Sequence, residues 1–255
     1  MLYKVLSASV QDSRFSSQTK EIITMTDHVQ TGNRFGSAIS TPAERNKVLR
    51  NTYWLLALSM LPTVLGAWVG VATGITASLT GFLGLAVFLG GAFGFMFAIE
   101  KTKNTAAGVP VLLAFTFFMG LMLSRMLAGV LGFSNGSSLI MTAFGGTAGV
   151  FFVMANLSTV IKRDLSGMGK WLFVGALAIM VGAIINVFVG STAGMAAIAT
   201  LAIIVFSMYL LYDLKRIVDG GETNYISATL GLYLSLFNIF QSLLALLGIF
   251  GGDRD

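Results

Sequence analysis

Cysteine is absent from the 255 residues, which removes disulfides, thiolate metal sites and thiol nucleophiles together. Histidine occurs once, at His28, ahead of every apolar run, so a Ser–His pair within a membrane segment and an HExxH zinc site are both excluded. The sole Gly-Asp dipeptide, Gly252-Asp253, lies beyond the last apolar run, which excludes an intramembrane aspartyl protease of the GxGD type. That run also holds no lysine for a Schiff base, and the chain has no phosphate-binding loop. These absences argue against an enzyme, and no cofactor is expected.

Charge is scarce as well, at 11% of residues. Hydrophobic residues reach 55% and the mean hydropathy is +0.83, a composition that belongs to an integral membrane protein. The net charge of +5 is not a nucleic-acid signal. Its basic residues sit in short segments between apolar runs, where they report topology. The first long apolar run begins near Tyr53, too late for a signal peptide.

Residues 1–52 are polar and without sustained period, and read as a flexible cytoplasmic tail and lead-in; Met25 is an alternative start to Met1. Within it, Thr41-Pro42-Ala43-Glu44 is a helix-start signal, with Thr41 as N-cap, Pro42 first in the helix and Glu44 as the capping-box partner. Seven apolar segments follow, at about 53–73, 78–99, 108–131, 138–161, 171–189, 194–218 and 225–249, each near the roughly 20 residues that span a bilayer. The expectation is an all-α integral membrane domain over 53–250, a seven-transmembrane helix bundle, with residues 251–255 as a C-terminal tail. Pro62 falls inside the first helix and is expected to kink it, while Pro110 sits in the first turn of the third, where it is tolerated.

If the N-terminus is cytoplasmic, fourteen of the sixteen Lys/Arg fall on the inner side and only Arg125 and Arg254 on the outer. The positive-inside rule therefore predicts a cytoplasmic N-terminus and a periplasmic C-terminus.

The last segment carries Ser227, Gly231, Ser235, Asn238 and Ser242, spaced so that they share one helix face. A polar stripe at lipid depth is costly unless it faces protein or water, so this helix is expected at the centre of the bundle. The pairs Gly66/Gly70, Gly90/Gly94 and Gly145/Gly149 have small-xxx-small spacing, for close packing inside the bundle or for a dimer face.

Ionisable groups near membrane depth are the candidate sites. Asp213 lies inside the C-terminal end of the sixth segment, where a carboxylate opposes the helix dipole; it is either an i,i+3 partner of Arg216 or a proton- or ion-linked group. Glu100 ends the second segment beside Lys101 and Lys103, as a boundary carboxylate or a second member of such a site. No metal site is firm. Arg125 is expected to snorkel outward or to find an inward partner. Together with Tyr233 and Asn238 it is a candidate polar core residue. Asn156, Asn186, Asn238 and Gln241 are expected to make interhelical hydrogen bonds.

Tyr212-Asp213-Leu214, Gly220-Gly221-Glu222-Thr223-Asn224-Tyr225-Ile226 and Leu232-Tyr233-Leu234-Ser235-Leu236-Phe237-Asn238-Ile239-Phe240 resemble the C-terminal signature of the Bax-inhibitor membrane family. With Lys47-Val48-Leu49-Arg50-Asn51-Thr52-Tyr53 before the first segment, the likeness is to its bacterial YccA-like branch, over residues 46 to 250. The resemblance implies a last helix surrounded by the other six, a place in the bacterial inner membrane, and association with the ATP-dependent protease FtsH as substrate and modulator. Other family members act as pH-sensitive calcium leak channels that use two aspartates on the last two helices and an arginine on the second. Asp213 matches the first aspartate, Ser235 stands in place of the second, and Glu100 in place of the arginine. The coupled-carboxylate switch is thus missing, and a calcium, cation or proton leak centred on Asp213 remains as the alternative function. The partners the resemblance implies are FtsH and the lipid bilayer, and for the alternative calcium or protons.

Overall fold

The structure is a computed structural model and describes residues 42–252. The expectations on the tail before Pro42, on the Thr41 cap, on Met25 as a start and on the C-terminal residues 253–255 lie outside the described residues. Seven helices follow one another: α1 Pro42–Thr73, α2 Gly81–Thr102, α3 Gly108–Leu131, α4 Gly136–Val160, α5 Met168–Val189, α6 Thr192–Val218 and α7 Tyr225–Gly251. All seven are long and apolar enough to cross a membrane, and there is no strand among the described residues. An α-helix satisfies its backbone groups within one segment, which lipid requires.

The ends follow local chemistry. Asn224 accepts hydrogen bonds from the Ile226 and Ser227 N–H groups and starts α7, and Ser191 does the same for α6 through Gly194. Gly190 ends α5 at φ 68°, a left-handed geometry that glycine adopts without penalty. Gly74 and Gly81, also at positive φ, bracket the α1–α2 turn, so α2 starts at 81 and not at 78. The lead-in and the first apolar segment form one continuous helix, and it runs on through Pro62. The third helix likewise runs unbroken past Arg125 to Leu131.

The most extensive packing joins α1 to α3 and α6 to α7. The first of these depends on glycine. A methyl group at Gly66 would stand 2.2 Å from the Phe117 carbonyl oxygen, and one at Gly120 would stand 2.1 Å from that of Thr63, so the two backbones touch directly. Gly70 meets Ser124 in the same seam, whereas Gly90, Gly94, Gly145 and Gly149 look onto open space. Two of the three small-residue pairs therefore meet no neighbouring helix among the described residues.

Helix α7 contacts α1, α2, α3, α4 and α6, and its buried residues lie all around it, from Ile226 and Thr229 to Tyr233, Ser235, Phe237 and Ile239. Helix α5 is the exception to the expected ring of six, because it packs on α6 and α2 and not on α7. It is the most apolar of the seven and buries only Leu172, a helix suited to lipid on most sides.

Candidate functional site

The residues singled out near the end of α6 gather where α6, its following loop and the start of α7 meet. Asp213 faces α7, and a methyl group at Gly231 would lie 2.9 Å from its Oδ2; glycine there makes room for the carboxylate. The charges acting on Asp213 are Arg216 and Glu222. Arg216, however, turns away: its guanidinium meets Glu222 Oε2 at 3.2 Å and its Nε donates to the Gly221 carbonyl at 3.4 Å. The loop itself causes this, since Gly221 and Glu222 both donate their N–H to the Arg216 carbonyl and so fold Glu222 back over the arginine. The i,i+3 pair between Asp213 and Arg216 is not formed, and Asp213 makes no ion pair among the described residues. Lys215 is directed elsewhere, to Asp219 at 2.7 Å.

Ser235 is buried one turn further along α7 from Gly231, on the same face. Asp213 and Ser235 thus address one stripe of the central helix. Glu100 does not join them. It is two-thirds exposed and pairs with Lys103 at the end of α2, while Lys101 lies 4.5 Å from the centre of the Phe97 ring.

Around this site the loop from Asp219 to Asn224 is held from three directions. The Asn224 side-chain amide donates to the Lys103 carbonyl at 3.1 Å and to Asn104 at 2.8 Å, which ties α7 to the α2–α3 turn. Glu222 accepts from the Asn224 N–H at 3.0 Å. Arg45, in the first turns of α1, donates to the Val218 carbonyl at 3.4 Å, placing a cation at the negative end of α6. Nothing in the spacing of Arg45 and Val218, 173 positions apart, could have paired them from sequence.

Deeper in the bundle, Tyr233 is the hub. It is 1% exposed, its hydroxyl is 3.0 Å from Thr63 Oγ1 and 3.5 Å from the Thr116 carbonyl, and its ring meets Phe115 edge-on and stacks on Phe237. The Thr63 proton goes to the Ser59 carbonyl at 2.8 Å, so Tyr233 gives its single proton to Thr63, joining α7 to α1, while its ring contact with Phe115 joins α7 to α3. Asn238 bonds the Leu234 carbonyl of its own helix and Asn156 that of Phe152. Gln241 is exposed, and the Asn186 Oδ1 lies beside the start of α6, where a methyl group at Gly194 would stand 2.7 Å from it. For Asn238 and Asn156 a backbone acceptor one turn away took the place of the expected interhelical partner. Arg125, at the far end of the bundle, donates to the Leu79 carbonyl and, with the Thr76–Ser124 hydroxyl pair at 2.8 Å, pins the α1–α2 turn to α3. Among the described residues no three His, Cys, Asp or Glu side chains converge to hold a metal.

A sequence model of the family described as inhibitor of apoptosis-promoting Bax1 matches residues 45–252. The chain belongs to the Bax-inhibitor family. Within it, the chain is 38% identical to the modulator of FtsH protease YccA of Escherichia coli K12 over 208 residues, covering 82% of this chain and 92% of that one. It is 38% identical to a membrane protein of Vibrio cholerae over 218 residues, with 85% and 96% covered. A Neisseria meningitidis protein is 34% identical over 212 residues, with 82% and 93% covered. Seven apolar helices and the likeness to an inner membrane protein of E. coli make this Bax-inhibitor family member a multi-pass protein of the inner membrane.

Proposed function

We propose that the protein binds an FtsH-type membrane-bound, ATP-dependent protease and modulates its activity in membrane-protein quality control. The observation that carries this reading is the 38% identity to the E. coli modulator of FtsH protease across 82% of the chain. The polar stretch ahead of α1 is where the protease engages the chain, and the bundle behind it resists extraction through the backbone contact of α1 with α3. The protease is then occupied without rapid turnover of its ligand. The test is co-purification from membranes with the protease, followed by the turnover of a second substrate. No association, together with unchanged turnover, would sink the idea.

The reading requires the N-terminus in the cytoplasm and the C-terminus in the periplasm, as the Lys/Arg distribution supports. The natural absence of cysteine makes this simple to check. In intact cells a membrane-impermeant maleimide is expected to label Ser78→Cys in the α1–α2 turn and to spare Ser166→Cys between α4 and α5. The reverse pattern would invert the topology.

A second reading is a calcium, cation or proton leak beside α7. It is favoured by the Asp213 carboxylate, which lies against Gly231 and makes no ion pair among the described residues. Dye-loaded liposomes decide between the two: pH-dependent flux that disappears in Asp213→Asn supports the leak, and flux equal to that of empty liposomes removes it.

A further inference from the structure

Helices α1 and α4 both pack on α7, while their own backbones do not approach each other closely among the described residues. Between them runs a groove of about 520 Å³ that opens sideways, lined by Tyr53, Ala57, Met60, Phe152, Asn156 and Thr159 among others. The edge-on contact of Tyr53 with Phe151, at 6.1 Å, bridges it. A groove facing the bilayer is ordinarily apolar along its whole length. Here one end is not. Asn156 and Thr159 are exposed on α4, and Asn156 satisfies one N–H on the Phe152 carbonyl at 2.8 Å while its amide oxygen takes no hydrogen bond among the described residues.

Above that polar end stand cations. Arg50 shares a helix face with Tyr53, Ala57 and Met60, at spacings of three, four and three. Lys162 and Arg163 follow Thr159 directly after α4 ends. All three are exposed and unpaired among the described residues, whereas Lys103, Lys215 and Arg216 each have an acidic partner. The neighbouring Asp164 does not neutralise them by ion pairing: its carboxylate accepts from the Ser166 N–H and hydroxyl, both at 2.8 Å. From Arg50 to Met60 the helix rises about 15 Å, the depth of one leaflet of a roughly 30 Å hydrocarbon core.

We propose that this groove binds one anionic phospholipid. Its phosphate is held by Arg50, Lys162 and Arg163, its ester region faces Asn156 and Thr159, and an acyl chain lies along Tyr53, Ala57 and Met60. Guanidinium and ammonium groups over an apolar cleft between helices suit this chemistry. A partner's transmembrane helix would leave the three cations unused, so lipid is the occupant the charges select. The assignment stands apart from protease binding and from ion leak.

Native mass spectrometry of the full chain, purified in a neutral detergent and given equal phosphatidylglycerol and phosphatidylcholine, tests it. One phosphatidylglycerol is expected to remain bound per protein. Arg50→Gln, Lys162→Gln and Arg163→Gln are each expected to weaken its retention about fivefold. Ala57→Phe, which fills the cleft without touching charge, is expected to lower retention as well, and Lys101→Gln with Lys170→Gln to leave it unchanged. Equal retention of the two lipids, or equal losses in the Lys101/Lys170 control, would overturn the proposal by reducing it to general surface charge. So would cross-linking of Ala57→Cys, in membranes, to a second copy or to another protein in place of lipid. Inorganic phosphate at the same concentration is expected not to displace the lipid; displacement would make the site one for the free anion and overturn the acyl-chain assignment.

Discussion

The carboxylate of Asp213 on α6 lies against Gly231 on α7, so close that a single methyl group on the glycine would stand 2.9 Å from Oδ2. The obstacle is the free end of a side chain, which can swing aside. Gly231→Ala is therefore expected to displace Asp213 at little cost, because alanine regains about 1 kcal/mol of helix propensity. Thermal melting in detergent should place the variant within about 1 kcal/mol of the wild type. A larger loss would show that the carboxylate is pinned in place.

Gly120→Ala has the same chemistry and the opposite surroundings. Its new methyl would meet the Thr63 carbonyl oxygen at 2.1 Å, and a backbone cannot swing aside. Helices α1 and α3 must part, at an expected cost of about 1–3 kcal/mol. Gly145→Ala, facing open space, serves as the control and should melt at or slightly above the wild type, since only the helix-propensity gain remains. Similar melting of all three proteins would refute the backbone seam.

Asn224→Ala removes both the cap of α7 and the tie to Lys103 and Asn104. The cap alone accounts for about 1 kcal/mol. Amide hydrogen exchange is expected to rise in the first turn of α7 and in the α2–α3 turn together, while the far end of the bundle keeps its protection. A rise confined to α7 would mean that the tie carries nothing.

Asp164, in the α4–α5 loop, is held below the ordinary carboxylate range by the hydrogen bonds from the Ser166 N–H and hydroxyl, with a further contribution from the Lys215 charge. A depressed folded value favours the folded loop above the unfolded pKa, near 3.9. That contribution is lost as pH falls through the lower folded value. Ser166→Ala should raise the Asp164 midpoint in a carboxylate NMR titration. An unchanged midpoint would assign the shift to the backbone N–H alone.

The helices were legible because lipid leaves a chain few options. The third and sixth spans end at Leu131 and Val218, where the apolar runs end. The glycine pairs show where legibility stops: Gly66/Gly70 and Gly145/Gly149 have identical spacing, and only the identity of the facing helix separates a seam from an open surface. Asp213 and Arg216 stand at pairing distance along α6, yet the fold-back at Gly221 gives the arginine to Glu222. Local spacing proposes partners, and a loop's conformation can reassign them. Tyr233 was visible as a polar residue in the last helix, but its link to Thr63 spans 170 positions and depends on how α1 leans on α3.

The contact of α1 with α3 also has a mechanical meaning. A motor pulling on the chain ahead of Pro42 draws α1 along its own axis, past the carbonyls of Thr63 and Phe117. The interlocked glycines at 66, 70 and 120 are then loaded in shear and resist together, whereas a peeling force would break them one at a time. Arg45, bound to the end of α6, passes part of the same tension to a second helix. Under the proposed function, such a bundle is expected to yield late and all at once, so that a machine advancing in small strokes stalls against it.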